Sequence, residues 1–142
     1  MQLSDIQLLV FELTSYCNIK CPHCARTDED GSLPSFVTLS HLDFDKILHN
    51  LELTELTNLK LVIFEGDTGD ALMHPDLNRI IDTFYNMPSA PSIAITTNGS
   101  IRSEEWWHAL GSTYDPKRLT VQFSIDGLSD THKLYRVGAD YT

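Results

Sequence analysis

Long apolar runs are missing from this 142-residue chain. Nothing in it approaches the roughly 20 residues that a membrane-spanning helix needs. The N-terminus, MQLSDIQLLVFEL, also lacks the basic start and small-residue cleavage site of a signal peptide. A soluble protein in the cytoplasm is therefore expected, with no membrane partner. Positive charge is scarce: 10 Lys and Arg stand against 20 Asp and Glu, for a formal net charge of −10. A broad nucleic-acid surface needs a basic footprint, so that class is excluded. The acids are scattered and read as a solvated surface. No linker, repeat or low-complexity tract interrupts the chain, and 42% hydrophobic with 21% charged residues fits one globular domain. Cysteine is the scarcest informative residue. There are three, which in a reducing compartment do not make a disulfide framework. All three lie within eight positions, in CNIKCPHC (17–24), and no fourth follows.

Four short runs rich in β-branched and aromatic residues read as buried strands: LLVFELT (8–14), KLVIFEG (60–66), SIAITTN (92–98) and LTVQFSID (119–126). Helical patterns separate them. SHLDFDKILHNL offers Ser40 as N-cap and repeats Leu42, Ile47, Leu48 and Leu51 at helical spacing. HPDLNRIIDTFY places Pro75 in a first turn and Leu77, Ile80, Ile81 and Phe84 on one side. SEEWWHAL begins with Ser103 as cap and two glutamates where the helix dipole favours them. A fourth helix is expected from Ser129. The alternation predicts an α/β fold with a parallel sheet of βα repeats and right-handed crossovers. Four strands make either a small open sheet or a section of a barrel.

In parallel α/β folds the carboxyl ends of the strands carry the site. Here those ends read ELTSYC, FEGDTGD, ITTNG and SIDG: polar, glycine-bearing or thiol-bearing, and all on one side of the sheet. Three thiolates on one short loop suggest a metal. A structural zinc site closes with four protein ligands, and His41 or His74 could supply a distant fourth. An iron–sulfur cubane can instead carry three cysteines and leave one iron open.

These motifs together resemble the radical S-adenosylmethionine (SAM) enzymes. CNIKCPHC matches that family's CxxxCxxC loop after the first strand. FEGDTGDALMHPDL is similar to its second-strand motif GGEPLLHPDL, ITTNG to its third-strand end, and FSIDGLSDTHKLYR to the fourth strand and following helix of SPASM-like and phage-type members. The resemblance implies that residues 1–142 are the N-terminal part of a radical SAM core domain. Its fold would be a partial (β/α)6 TIM-like barrel, truncated to about four βα units. Cys17, Cys21 and Cys24 would hold a 4Fe–4S cluster whose open iron is chelated by SAM. Reductive cleavage of SAM would then give a 5′-deoxyadenosyl radical that abstracts hydrogen from substrate. An electron donor such as flavodoxin or ferredoxin is implied, and the substrate would be a peptide or a small molecule, a nucleotide-derived metabolite being the second choice. A non-catalytic remnant that binds cluster or SAM, and a zinc-binding interaction module, are the competing readings.

Residue by residue, the resemblance places Gly69 and Asp70 at the SAM ammonium. Thr97, Asn98 and Gly99 would line the SAM site, Ser124 would meet the ribose with Asp126 supporting that end, and Arg136 would pair with the SAM carboxylate. Thr68-Gly69-Asp70-Ala71 departs from the usual Gly-Gly-Glu-Pro, with a carboxylate one methylene shorter; Gly66 and Gly69 are left to supply a flexible turn. On the fourth strand Thr120, Gln122, Ser124 and Asp126 share a face that suits a cofactor-holding lumen, while Val121, Phe123 and Ile125 would meet the helices. Glu12 and Glu65 could face substrate or a lumen cation. His74 reads as a helix cap, and of the adjacent Trp106 and Trp107 one ring is expected in the core and one exposed.

Overall fold

The structure, a computed structural model, describes residues 2–128 and 130–139. Its sheet has four strands, β1 (Leu8–Glu12), β2 (Leu61–Glu65), β3 (Ser92–Thr97) and β4 (Leu119–Phe123), in the order β1-β2-β3-β4 and parallel at every pairing. The helices α1 (Phe44–Asn50), α2 (Leu77–Tyr85) and α3 (Glu104–Thr113) form the three crossovers, and α4 (His132–Tyr135) follows β4. Sequence order equals spatial order, so the sheet winds in one direction. A section of a barrel has this order, whereas a doubly wound open sheet reverses at a switch point.

Register explains why only one sheet face carries the core. Leu9 lies beside Val62 and Phe11 beside Phe64, which continue to Ile93 and Ile95 and then to Leu119 and Val121. This face packs on Phe44 of α1, on Leu77, Ile80, Ile81 and Phe84 of α2, and on Leu110 of α3. The opposite face shows Leu8 and Val10 about half exposed and includes Glu12 beside Glu65. Val62, Phe64, Ile93 and Ile95 are essentially inaccessible, and burying each such side chain is worth about 1.5–3 kcal/mol.

Several local expectations change. The α1 cap is Asp43, which accepts from the Lys46 amide at 3.1 Å, and not Ser40. Ser40 is held elsewhere: its carbonyl accepts from the Ser15 amide and its amide donates to Ser15 Oγ, while the Leu42 amide donates to the Leu13 carbonyl. Residues 40–42 thus run beside the exit of β1, with a Thr14–His41 bridge, and β1 ends two residues earlier than its pattern suggested. Ser103 caps α3 as expected. The Ser129 start of the fourth helix lies outside the described residues; α4 begins at His132 with Thr131 before it. Leu119 and Val121 pack against the core, Phe123 meets α3 at Trp107 while staying 47% exposed, and Ile125 is 59% exposed. Neither tryptophan ring is fully exposed. Trp106 donates to Asn78 of α2, Trp107 leans on Phe123, and the two rings meet edge to face.

Candidate active site at the carboxyl ends of the strands

The three cysteines sit on a turn that the rest of the molecule shapes. The Cys24 amide donates to the Cys21 carbonyl, and the Lys20 amide donates across to Val137. Ile19 and Cys21 are buried with Ala139 in a small apolar cluster of their own, and Tyr135 packs against it. From β2, the Asp70 amide donates to the Tyr16 carbonyl at 2.8 Å. Gly69 is pressed so close to this turn that a Cβ there would lie 1.9 Å from the Thr14 oxygen. Gly66 is similar, its Cβ position lying 2.1 Å from the Gly69 oxygen. The two glycines are needed for close backbone approach, and not for the flexible turn expected from sequence.

Cys17, Cys21 and Cys24 line one cleft of about 70 Å³ together with Gly69, Asp70 and Asn98. Thr97, Ser124 and Arg136 complete the set of expected residues on its walls, and Asp126 reaches it indirectly through an ion pair with Arg136. Asn98 Nδ2 points at Cys17 Sγ (3.8 Å), and Arg136 Nη1 points at Cys21 Sγ (3.6 Å). Cys24 Sγ approaches only the Asp67 carbonyl, at 3.9 Å, among the described residues. A wider cavity of about 440 Å³ is lined by residues 36–43 with Glu12 and Thr68; it holds no thiol, and Glu12 accepts there from the Thr68 hydroxyl. The smaller cleft is where the chemistry-bearing groups converge.

Asp70 is the hub of the cleft. Only 4% exposed, its carboxylate accepts from the Leu72 amide, the Thr97 hydroxyl, and both the amide and side-chain nitrogens of Asn98. These protein donors use the acceptor capacity that the sequence reading reserved for an ammonium group. Arg136 is likewise engaged by Asp126 and by Cys21.

Arg26 was not singled out from sequence. Its guanidinium is 8% exposed, lines the cleft, and donates to the carbonyls of Ser15 and Cys17. The available signal was a cation two residues past the last cysteine in an acidic chain. His41 and His74 lie apart from the thiols. His74 is buried, with Nδ1 accepting from the Asp76 amide and Nε2 bonded to the Leu42 carbonyl, so both nitrogens are committed. His41 stacks on Tyr16. Among the described residues, no three His, Cys, Asp or Glu side chains converge as ligands of one ion would. The thiols instead stand around a shared cleft, and that donor set suits a centre in which each thiolate binds a different iron.

Burial is the main cause that pushes the Cys17 thiol above its ordinary value; the Ile19 amide opposes it, Asp70 adds to it and Arg26 counters. Burial also raises Cys21, against the pull of Arg136. Iron binding needs thiolates. Iron and sulfide incorporation is therefore expected to accelerate with pH between about 7 and 9, since each thiolate fraction grows about tenfold per unit below its pKa; visible absorbance during reconstitution measures this. The linkage sign for the apoprotein is the reverse. A fold that keeps thiols protonated loses stability as pH rises from the ordinary thiol value through the raised one.

The fold has counterparts in known proteins. Native anSMEcpe with bound AdoMet superposes with a TM-score of 0.63 at 20% identity, over 92% of this chain and 35% of that one. BtrN in complex with AdoMet and 2-DOIA gives 0.58 at 20% identity, over 75% and 42%. In sequence, the subtilosin biosynthesis protein AlbA of Bacillus subtilis is 29% identical over 132 residues, 89% of this chain and 26% of AlbA. The AdoMet-dependent heme synthase of Methanosarcina barkeri is 29% identical over 131 residues, 92% of this chain and 34% of that protein. These relatives and neighbours are radical SAM proteins, and the chain is similar to them over most of its length. It spans between about a quarter and a third of the length of these curated relatives. No protein-family model matches it. Its fold is α/β, a singly wound parallel sheet like the corresponding section of those TIM-like barrels, and among the described residues no helix is long and apolar enough to cross a membrane.

Proposed function

We propose that this chain holds a 4Fe–4S cluster on Cys17, Cys21 and Cys24 and binds SAM against it, as the cofactor half of a hydrogen-abstracting enzyme. The observation that carries this is the meeting, in one cleft, of three thiols with the ends of all four strands. Bound there and reduced by one electron from an external donor, cluster and SAM would supply reductive cleavage of the sulfonium C–S bond and hydrogen-abstracting radical chemistry. The chain's own residues bind, orient and shield. Asn98 and Arg136 offer N–H groups to two of the three sulfurs. Asp70 fixes Asn98 and the β3 exit in place. Ser124, whose amide is anchored to the Thr97 carbonyl, presents a hydroxyl at the β4 end suited to a ribose. With Arg136 paired to Asp126, the SAM carboxylate would have to displace or share that partner.

A peptide substrate is favoured by the SIDG…HKLYR resemblance and by the similarity to AlbA, a bacteriocin biosynthesis protein. A nucleotide-derived substrate is the second reading, supported by 30% identity over 109 residues to the GTP 3′,8-cyclase of Stenotrophomonas maltophilia, 74% of this chain and 31% of that enzyme. Flavodoxin or ferredoxin is the proposed electron donor, and the cytoplasm the proposed compartment.

Anaerobic purification with iron, sulfide and zinc analysis tests the metal. About four irons and four sulfides per chain are expected, and His41→Ala should leave that content unchanged; stoichiometric zinc without iron would sink the reading. Reductant and SAM added to the loaded protein should yield 5′-deoxyadenosine. Its absence from fully loaded protein would favour a cofactor-binding remnant.

A further inference from the structure

Arg26 poses a problem that the proposed function leaves open. A guanidinium 8% exposed carries a charge that should not be buried alone, since desolvation of an unpaired ion costs several kcal/mol. It has no carboxylate partner among the described residues. Two of its nitrogens donate to the Ser15 and Cys17 carbonyls, while Nε is buried with no partner at all. The same side chain lines the thiol cleft and holds the Cys17 carbonyl. The other charges at the cleft are Asp70 with Arg136 and its partner Asp126. Two arginines and two aspartates leave the cleft electrically balanced until the thiols ionise.

We infer that Arg26 is a positioning residue with two separable tasks: it staples the turn at Ser15 and Cys17, and its charge offsets the negative thiolate–cluster unit. This rests on the cluster assignment above. The staple follows from the two carbonyl bonds, which tie the turn to one guanidinium. The electrostatic task follows from the free Nε and the burial. A fixed positive charge in a low-dielectric cleft stabilises whichever redox state is more negative, so it raises the reduction potential. Asn98 and Arg136 add N–H groups at Cys17 and Cys21, but Arg136 is neutralised by Asp126, and Arg26 is not.

The test is a potentiometric titration of the anaerobically reconstituted protein, followed by the electron paramagnetic resonance of the reduced cluster. In Arg26→Gln, which removes the charge, the reduced-to-oxidised ratio at the wild-type midpoint should fall roughly threefold or more. Arg26→Lys keeps the charge and cannot make both carbonyl bonds. It should hold a cluster of near wild-type potential, with faster proteolysis at the 15–26 turn. If the Gln variant does not fold, the Lys variant decides: an unchanged reduced-to-oxidised ratio at the wild-type midpoint supports the inference, and a threefold fall in that ratio overturns it. A Gln variant that loads fully at unchanged potential also overturns it, including the case where only SAM affinity drops, which would make Arg26 a ligand contact. Wild-type protein that takes up no iron ends the cluster reading and this inference with it, so the two failures are told apart by the wild-type metal content.

Discussion

Gly69→Ala is expected to unfold the protein or expel the β2 exit from its place. The added methyl would sit 1.9 Å from the Thr14 oxygen, 2.7 Å from the Thr14 carbonyl carbon and 2.9 Å from the Tyr16 oxygen. All three are backbone atoms, so no side chain can rotate away. Thr14 is held by its hydroxyl bond to the Ser40 carbonyl, and the Tyr16 oxygen accepts from the Asp70 amide beside the new methyl. Overpacking costs typically about 1–3 kcal/mol where side chains can adjust; here the backbone must move, and the loss should exceed about 3 kcal/mol out of a total near 5–15. A urea midpoint and the iron content after reconstitution should fall together. Gly111→Ala is the control: it lies inside α3 with nothing within 4 Å of the new methyl, and should stabilise by up to about 1 kcal/mol. A Gly69→Ala protein as stable as the wild type would refute the close packing of the two strand exits.

Asp70→Ala should be nearly as damaging, by a different cause. The carboxylate is the shared acceptor for the Leu72 and Asn98 amides, the Thr97 hydroxyl and the Asn98 side chain. Removing it leaves several buried donors unpaired at about 1–3 kcal/mol each, with water recovering part, so a loss of about 3 kcal/mol or more is expected. Asp70→Glu is the sharper comparison, because glutamate is what the family motif usually has at this position. The extra methylene must fit where the carboxylate already meets the Leu72 amide at 3.0 Å and the Asn98 amide at 2.8 Å. A loss of about 1–3 kcal/mol is expected instead of a gain. Chemical denaturation of the apoprotein measures both. A Glu variant more stable than the wild type would show that the short side chain is not matched to its surroundings.

What sequence could and could not convey follows from how far each feature reaches along the chain. The βα alternation was legible because strand and helix periods are local: Leu77, Ile80, Ile81 and Phe84 fall on the buried side of α2 as their spacing demands. The thiol loop was legible because its three members are nearly adjacent. The cap of α1 was misread because Ser40 has a competing partner in Ser15, 25 residues earlier. The reason for Gly69 was misread for the same kind of cause, since flexibility is a local property of glycine and the contact with Thr14 is not. Arg26 escaped notice because its partners are main-chain carbonyls, which every residue has and no pattern marks. The Asp70 network spans β2 and β3, and only the parallel register sets its donors around one carboxylate.

The clasp between the two ends of the described chain has a consequence for timing during synthesis. The cysteine turn is emitted early, yet the amide of Lys20 and the sulfur of Cys21 find their partners at Val137 and Arg136, the latter 115 residues later. Each strand can pair with the one before it as it leaves the ribosome, but the cysteine turn cannot reach its final shape until residues 135–139 have been made. On the proposed cluster assignment, the three thiols would therefore take up their final arrangement only after this segment is translated.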